Sequence, residues 1–148
     1  MFFDDMYEGF TFETPGHVFT EEEIIDYARV YDPQPFHLDR EAAAASIYGG
    51  LIASGLQTCA ISFALTLRAN IINESSMGSP GMDRIRWLKP VRPGDEIRVT
   101  GTVRSATPSA SRPDRGRVET DYVVRNQRDE PVLTYSITHL QRRRAASI

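Results

Sequence analysis

The spacing of apolar positions changes once along the chain, dividing it into a helical first part and a strand-rich second part. Residues 7 to 14, YEGFTFET, alternate loosely and carry aromatic and threonine side chains, which predicts a first strand. Thr20 then precedes Glu21, Glu22 and Glu23, acids placed where a helix N-terminus favours negative charge. Ile24, Ile25, Ala28 and Val30 or Tyr31 supply the buried stripe of that helix. It must stop at about Tyr31, because Pro33 biases Asp32 away from helical angles. A short alanine-rich helix, DREAAAAS, follows around Asp39 to Ser46 and leads into a turn at Tyr48-Gly49-Gly50.

Ser54-Gly55-Leu56-Gln57 matches a capping box, with Ser54 taking the N3 amide and Gln57 reaching back to the cap amide. The helix therefore starts at Gly55 and runs to about Ala69. Leu56, Cys59, Ala60, Ile61, Phe63, Ala64, Leu65 and Leu67 leave only a narrow polar strip of Thr58, Ser62 and Thr66, the pattern of a buried helix. Residues 70 to 81, NIINESSMGSPG, are turn formers and predict a loop. Beyond it, runs near 82–89, 95–106, 117–126 and 131–141 are rich in Val, Ile, Thr, Tyr and Trp and predict four strands. The breaks between them at Pro93-Gly94-Asp95, at residues 113–116 and at residues 126–131 are short enough for antiparallel neighbours. This order is α+β rather than alternating βαβ, and a curved antiparallel sheet wrapped around the long helix satisfies it. With no repeat, low-complexity tract or linker, one domain over residues 1–148 is expected.

Composition narrows the function classes. With 41% hydrophobic and 25% charged residues, the chain has the make-up of a domain that buries its own core. The start, MFFDDMYEGF, is acidic where a leader would be basic, and no apolar run reaches the roughly eighteen residues a membrane span needs. A single cysteine, Cys59, supports neither an internal disulfide nor a zinc site, so a reducing cytoplasm and no metal are expected. A net charge of −3 gives no field for nucleic-acid binding. Arg142-Arg143-Arg144 reads as a solvated basic tail. The Asn73-Glu74-Ser75 sequon, without a leader, carries no glycan.

The segment with chemistry in it is Asp32-Pro33-Gln34-Pro35-Phe36-His37, a carboxylate and an imidazole five residues apart with two prolines between them. Each proline fixes its own φ and restricts the residue before it, so little entropy is left to lose in positioning the pair. Strict strand alternation would put the two side chains on opposite faces, so a shared site requires a bend here. Together they can hold one water, one accepting its proton while the other orients it or protonates a substrate carbon. Adding water to carbon 3 of an enoyl thioester also pushes charge onto the thioester oxygen, which needs preorganised donors. The unpaired first amides of the helix at Gly55 offer them: the Gly55 N–H as oxyanion donor, with the Leu56 N–H next in line. Spacing alone leaves a second reading open, in which the segment is a rigid connection whose histidine satisfies a buried carbonyl.

Residues 32–39, DPQPFHLD, followed by residues 49–55, GGLIASG, resemble the hydratase motif of the MaoC-like dehydratases, the family of R-specific enoyl-CoA hydratases. Residues 78–81, GSPG, and 86–95, RWLKPVRPGD, resemble the strand and turn that follow the central helix there. The resemblance implies a hotdog fold, a homodimer or higher homo-oligomer, and a trans-2-enoyl or 3-hydroxyacyl substrate on coenzyme A or acyl carrier protein, with no further cofactor. It puts Asp32 and His37 in the catalytic positions and Gly55 in the oxyanion position. Two residues depart from the pattern: Gln34 stands where asparagine is usual, and Ser54 where many active members have histidine.

Gln34, Ser54, Leu56, Thr58 and Ser62 are candidate substrate-binding residues beside the pair, and Arg84, Arg86, Lys89 and Arg92 candidate contacts for the phosphates of coenzyme A. His17 and His139 lack a carboxylate at useful spacing, and Cys59 lacks a basic neighbour, so all three read as structural. Two competing functions stand beside the hydratase: a hotdog thioesterase, against which the Asp and His pair argues, and a noncatalytic acyl-thioester binding subunit, suggested by the departures at Gln34 and Ser54.

Overall fold

The computed structural model describes residues 1–145. A single turn at Phe3–Asp5 leads to strands β1 (Thr11–Glu13) and β2 (His17–Val18), then helices α1 (Glu21–Tyr31), α2 (Pro35–Leu38), α3 (Arg40–Ala44) and α4 (Gly55–Arg68). Four strands follow, β3 (Gly81–Trp87), β4 (Glu96–Pro108), β5 (Arg115–Arg125) and β6 (Pro131–Arg142). They form an antiparallel sheet in the order β1-β4-β5-β6-β3, with β2 paired to the start of β4. The four long strands fall within a few residues of the predicted runs. The first strand is much shorter than predicted, because residues 7–10 form a turn, closed by the Phe10 N–H on the Tyr7 carbonyl at 3.0 Å with Gly9 at the left-handed φ of +90°.

The capping box forms at α1, not at α4. The Thr20 hydroxyl accepts the Glu23 N–H at 3.2 Å and the Glu23 carboxylate accepts the Thr20 N–H at 3.0 Å. Ser54 caps α4, but through the Leu56 amide, and Gln57 turns away to donate to the Glu23 carbonyl at 3.1 Å. In α1 the buried residues are Ile24 and Ala28, while Val30 and Tyr31 are exposed, contrary to the predicted stripe.

Helix α4 is buried on the sheet, as its pattern predicts, with the narrow polar strip facing inward. Thr58, Ser62, Leu65 and Thr66 are buried, whereas Leu56 and Phe63 are 52% and 38% exposed. The polar strip can face inward because its hydroxyls are satisfied there: Thr66 donates to the Ser62 carbonyl at 3.2 Å, and the Ser62 hydroxyl meets the Tyr135 hydroxyl at 2.8 Å. The main core joins Leu65 to Ile97, Val99, Tyr122, Val124, Leu133, Tyr135 and Ile137 of the sheet. A second cluster, Phe3, Met6, Ile72, Val103 and Val118, closes the other end.

The basic segment and the predicted loop are both held by specific contacts. The basic segment is largely exposed, as expected, yet Arg143 and Arg144 pair with Asp4 and Asp5 and lie over the Phe3 and Phe2 rings. The 70–81 loop is anchored by buried Ile72 and by Ser75, whose hydroxyl donates to the Met1 carbonyl at 2.6 Å.

Candidate active site

The bend required between Asp32 and His37 is made by α2. Helix α1 ends as Asp32 leaves the helical region, at φ −155° and ψ 69°, and Pro35 starts the next turn at a position where its missing N–H costs nothing. The His37 amide closes that turn on the Gln34 carbonyl at 3.0 Å. His37 Nε2 then lies 3.2 Å from Asp32 Oδ2, with His37 only 4% exposed. Its other nitrogen, Nδ1, donates to the Ile52 carbonyl at 2.7 Å, and the Ile52 amide donates back to the Phe36 carbonyl at 3.2 Å. Both readings of this segment therefore hold at once: the histidine satisfies a buried carbonyl and faces a carboxylate.

That geometry fixes which ring nitrogen carries a hydrogen toward the backbone. The Ile52 carbonyl can only accept, so Nδ1 carries a hydrogen. Asp32 Oδ1 accepts from the Gln34 side-chain amide at 2.7 Å and Oδ2 accepts from the Ser54 hydroxyl at 2.7 Å, as a carboxylate does. His37 Nε2 thus faces Asp32 Oδ2 across 3.2 Å, within reach of a proton passed between the two groups. Burial pushes the Asp32 carboxyl up, but the bonds from Ser54 and Gln34 and the adjacent His37 outweigh it and hold it below the usual carboxylate range.

The pair opens into a cavity of about 540 Å³. Asp32, Gln34, His37, Gly55, Leu56, Thr58 and Lys89 line it, so seven of the sequence-derived candidates come together. Among the described residues no acceptor meets the Gly55 N–H, which is free for a ligand oxygen. The Leu56 N–H is not: it donates to Ser54 Oγ at 3.3 Å, which removes it as the second oxyanion donor.

Five candidates do not line the cavity. Ser54 is fully buried behind Asp32, and Ser62 is bonded to Tyr135. Arg84 donates to Ser136 Oγ at 2.9 Å and pairs with Asp121, and Arg86 donates to the Ile85 carbonyl at 2.8 Å; neither lines the cavity. Arg92 stands just outside, donating to the Tyr48 carbonyl at 2.6 Å, and Lys89 pairs with Glu130. Sequence reasoning missed the aromatic walls Phe36, Tyr48 and Trp87. Trp87 lies so close to Gly55 that any side chain there would collide with the indole, which gives the glycine a packing reason as well as a chemical one.

The remaining histidines are engaged. His17 does meet a carboxylate, Glu23, at 2.8 Å. His139 is 3% exposed, and its Nε2 meets the Tyr122 hydroxyl at 2.7 Å. Burial raises the Cys59 thiol, which is not a nucleophile's environment.

Against this geometry, comparison with known proteins gives one consistent picture. The family described as MaoC like domain matches residues 7–126. A MaoC-like dehydratase from Rhodospirillum rubrum superposes with a TM-score of 0.92 at 38% identity, over 98% of this chain and 99% of that one. The uncharacterized protein YdeM of Bacillus subtilis is 34% identical over 94 residues, 64% of this chain and 67% of its own length. A Mycobacterium tuberculosis protein with a double hotdog fold superposes over 100% of this chain and 46% of that chain with a TM-score of 0.84; at 17% identity it speaks for the fold alone. The α+β architecture is thus that of a hotdog fold.

Proposed function

The chain belongs to the MaoC-like domain family, and from that premise we propose that it interconverts trans-2-enoyl and 3-hydroxyacyl thioesters by acid-base addition and removal of water. The observation that carries this reading is the approach of His37 Nε2 to within 3.2 Å of Asp32 Oδ2 at the wall of a cavity that also presents the free Gly55 N–H. In hydration, Asp32 takes a proton from water, the oxygen forms a bond to carbon 3, and the double-bond electrons move toward the thioester carbonyl. The Gly55 N–H stabilises the charge on that oxygen. His37 Nε2 then delivers its proton to carbon 2, and the proton on Asp32 returns to the histidine across the 3.2 Å contact, restoring the resting pair. Dehydration runs the same steps backwards. Coenzyme A or acyl carrier protein enters only as part of the substrate. Lys89, at the cavity wall, is the nearest cation for an anionic carrier.

A homodimer fits the surface. The outward stripe of α4, with Leu56 and Phe63, and edge strand β3, with Met82 and Trp87, leave apolar side chains and an unpaired ladder exposed. Among the described residues no helix is long and apolar enough to cross a membrane. The single cysteine, Cys59, which is free, supports a reducing, cytoplasmic setting.

The test is the loss of conjugated-thioester absorbance on hydration of crotonyl-CoA. Wild type is expected to turn over, and Asp32→Asn and His37→Ala each to lose about a hundredfold or more, the usual contribution of a general acid or base. Binding of enoyl thioesters without turnover would favour the noncatalytic subunit, and release of free thiol the thioesterase.

A further inference from the structure

We propose that Ser54 is a positioning residue: its buried hydroxyl orients Asp32 and passes to that carboxylate the polarisation of an α4 amide that Asp32 does not itself touch. The catalytic meaning of this rests on the hydratase reading.

The hydroxyl has one proton and, among the described residues, two polar partners. The Leu56 N–H occupies a lone pair of Ser54 Oγ at 3.3 Å, so the proton is directed at Asp32 Oδ2, 2.7 Å away. The chain from Leu56 N–H through Ser54 O–H to Asp32 runs in one direction, and each bond polarises the next. It starts in the first turn of a fourteen-residue helix, where amides carry partial positive charge. Ser54 is fully buried, so water does not compete for the hydroxyl. Its shorter bond is to the carboxylate, whereas a serine acting only as a cap would favour the amide.

The arrangement divides the first turn of α4. The Leu56 amide serves the base through Ser54, and the Gly55 amide stays free for the substrate oxygen. Ser54 also fixes Asp32 from the side opposite Gln34, which holds Oδ1 at 2.7 Å. The shared Oδ2 is thereby kept on His37. The groups facing Asp32 are His37 from α2, Gln34 from the connection before it, Ser54 from the start of α4, and Tyr27 of α1, whose phenol is pushed up by burial first and then by Tyr31 and Asp32. None but Ser54 links Asp32 to α4.

The experiment is a ¹³C carboxyl titration of Asp32 in the full chain, its resonance assigned by its disappearance in Asp32→Asn. In Ser54→Ala the midpoint should rise by about one to two pH units, the size expected for losing a buried hydrogen bond to a charged group. Ser54→Thr, which keeps a hydroxyl, should restore it. Ser54→Gly, a tolerated cap without a hydroxyl, should show the same rise and serves if the alanine variant unfolds. An unmoved midpoint in either hydroxyl-free variant, whatever the melting temperature does, would make Ser54 a cap alone and overturn the proposal. The titration needs no turnover, so the role of Ser54 is decided even if wild type proves inert and the hydratase reading fails. With turnover present, the acid limb of the rate profile should move with the midpoint.

Discussion

Two buried clusters in this molecule each set a histidine against an oxygen. At one end of α4, His37 faces Asp32 at 3.2 Å and both line a cavity. On the inner face of the sheet, His139 meets the Tyr122 hydroxyl at 2.7 Å, Tyr122 stacks on Tyr135 with ring centroids 5.0 Å apart, and Tyr135 reaches Ser62. Burial is the same for both, 4% and 3%, so burial does not distinguish them. The partner and the access do. A carboxylate can hold the imidazole's second proton ready for transfer, whereas a phenol can only complete a neutral hydrogen bond. Burial pulls His139 down to about 4 and pushes Tyr122 above its ordinary range, which keeps both uncharged. The first cluster sets a carboxylate and an imidazole beside a cavity, and the second closes a polar seam in the core.

The largest contrast is expected in turnover. His37→Ala should abolish most crotonyl-CoA hydration, while His139→Leu should leave the rate constant of the folded protein unchanged and cost stability. Removing the imidazole leaves the buried Tyr122 hydroxyl short of a partner, an effect of about 1–3 kcal/mol. Steady-state rates beside urea melts of both variants would check it. Loss of turnover in a well-folded His139→Leu would erase the distinction.

How much of this was legible in the sequence follows the range of the interactions. The end of α1 before Asp32 is a local consequence of Pro33 and read correctly, whereas the sequence could only require the bend that Pro35 starts and that brings His37 to Asp32. The link from Ser54 to Asp32 spans 22 residues and has no periodic signature. Helical periodicity showed the narrow polar strip of α4 and that the helix is buried, but not the Tyr135 hydroxyl that meets Ser62 across the sheet. Alternation along β3 likewise failed to separate Trp87 from Arg84 and Arg86. A bulge between Asp83 and Arg86, with Arg84 at φ +54°, inserts a residue and resets which side chains face the cavity.

The next contrast is in the pH dependence of stability. In the unfolded chain His139 binds a proton near its ordinary value of 6.5, but in the fold only near 4. Above about pH 6.5 neither state is protonated and this residue adds no slope. As pH falls from there to about 4, only the unfolded chain gains the proton, so stability drops by about 3 kcal/mol. Asp32 acts in a lower window: its carboxyl is held below the usual range, so its contribution is complete above that range and is lost as pH falls through the lowered value. Urea midpoints between pH 7 and 4 should therefore flatten in His139→Leu and keep their slope in Asp32→Asn. The reverse pattern would place the titrating core group in the wrong cluster.

The smallest contrast compares the outer members of the two clusters. Tyr135→Phe removes one end of the bond to Ser62, whose hydroxyl keeps the Cys59 carbonyl at 2.8 Å as a second partner, so the stability cost should stay near 1 kcal/mol. Burial holds the Tyr135 phenol up at about 12, so it is a neutral donor throughout the working range and its loss should not move the pH–rate profile. Gln34→Ala removes a bond of similar length from Asp32 Oδ1, but Gln34 is exposed and water can replace its amide. Its stability cost should be smaller still, yet the acid limb of the profile should rise, because the lost donor acts on the ionised base. A shift of the profile in Tyr135→Phe and none in Gln34→Ala would mean that the inner seam, and not the mouth, governs the reactive proton.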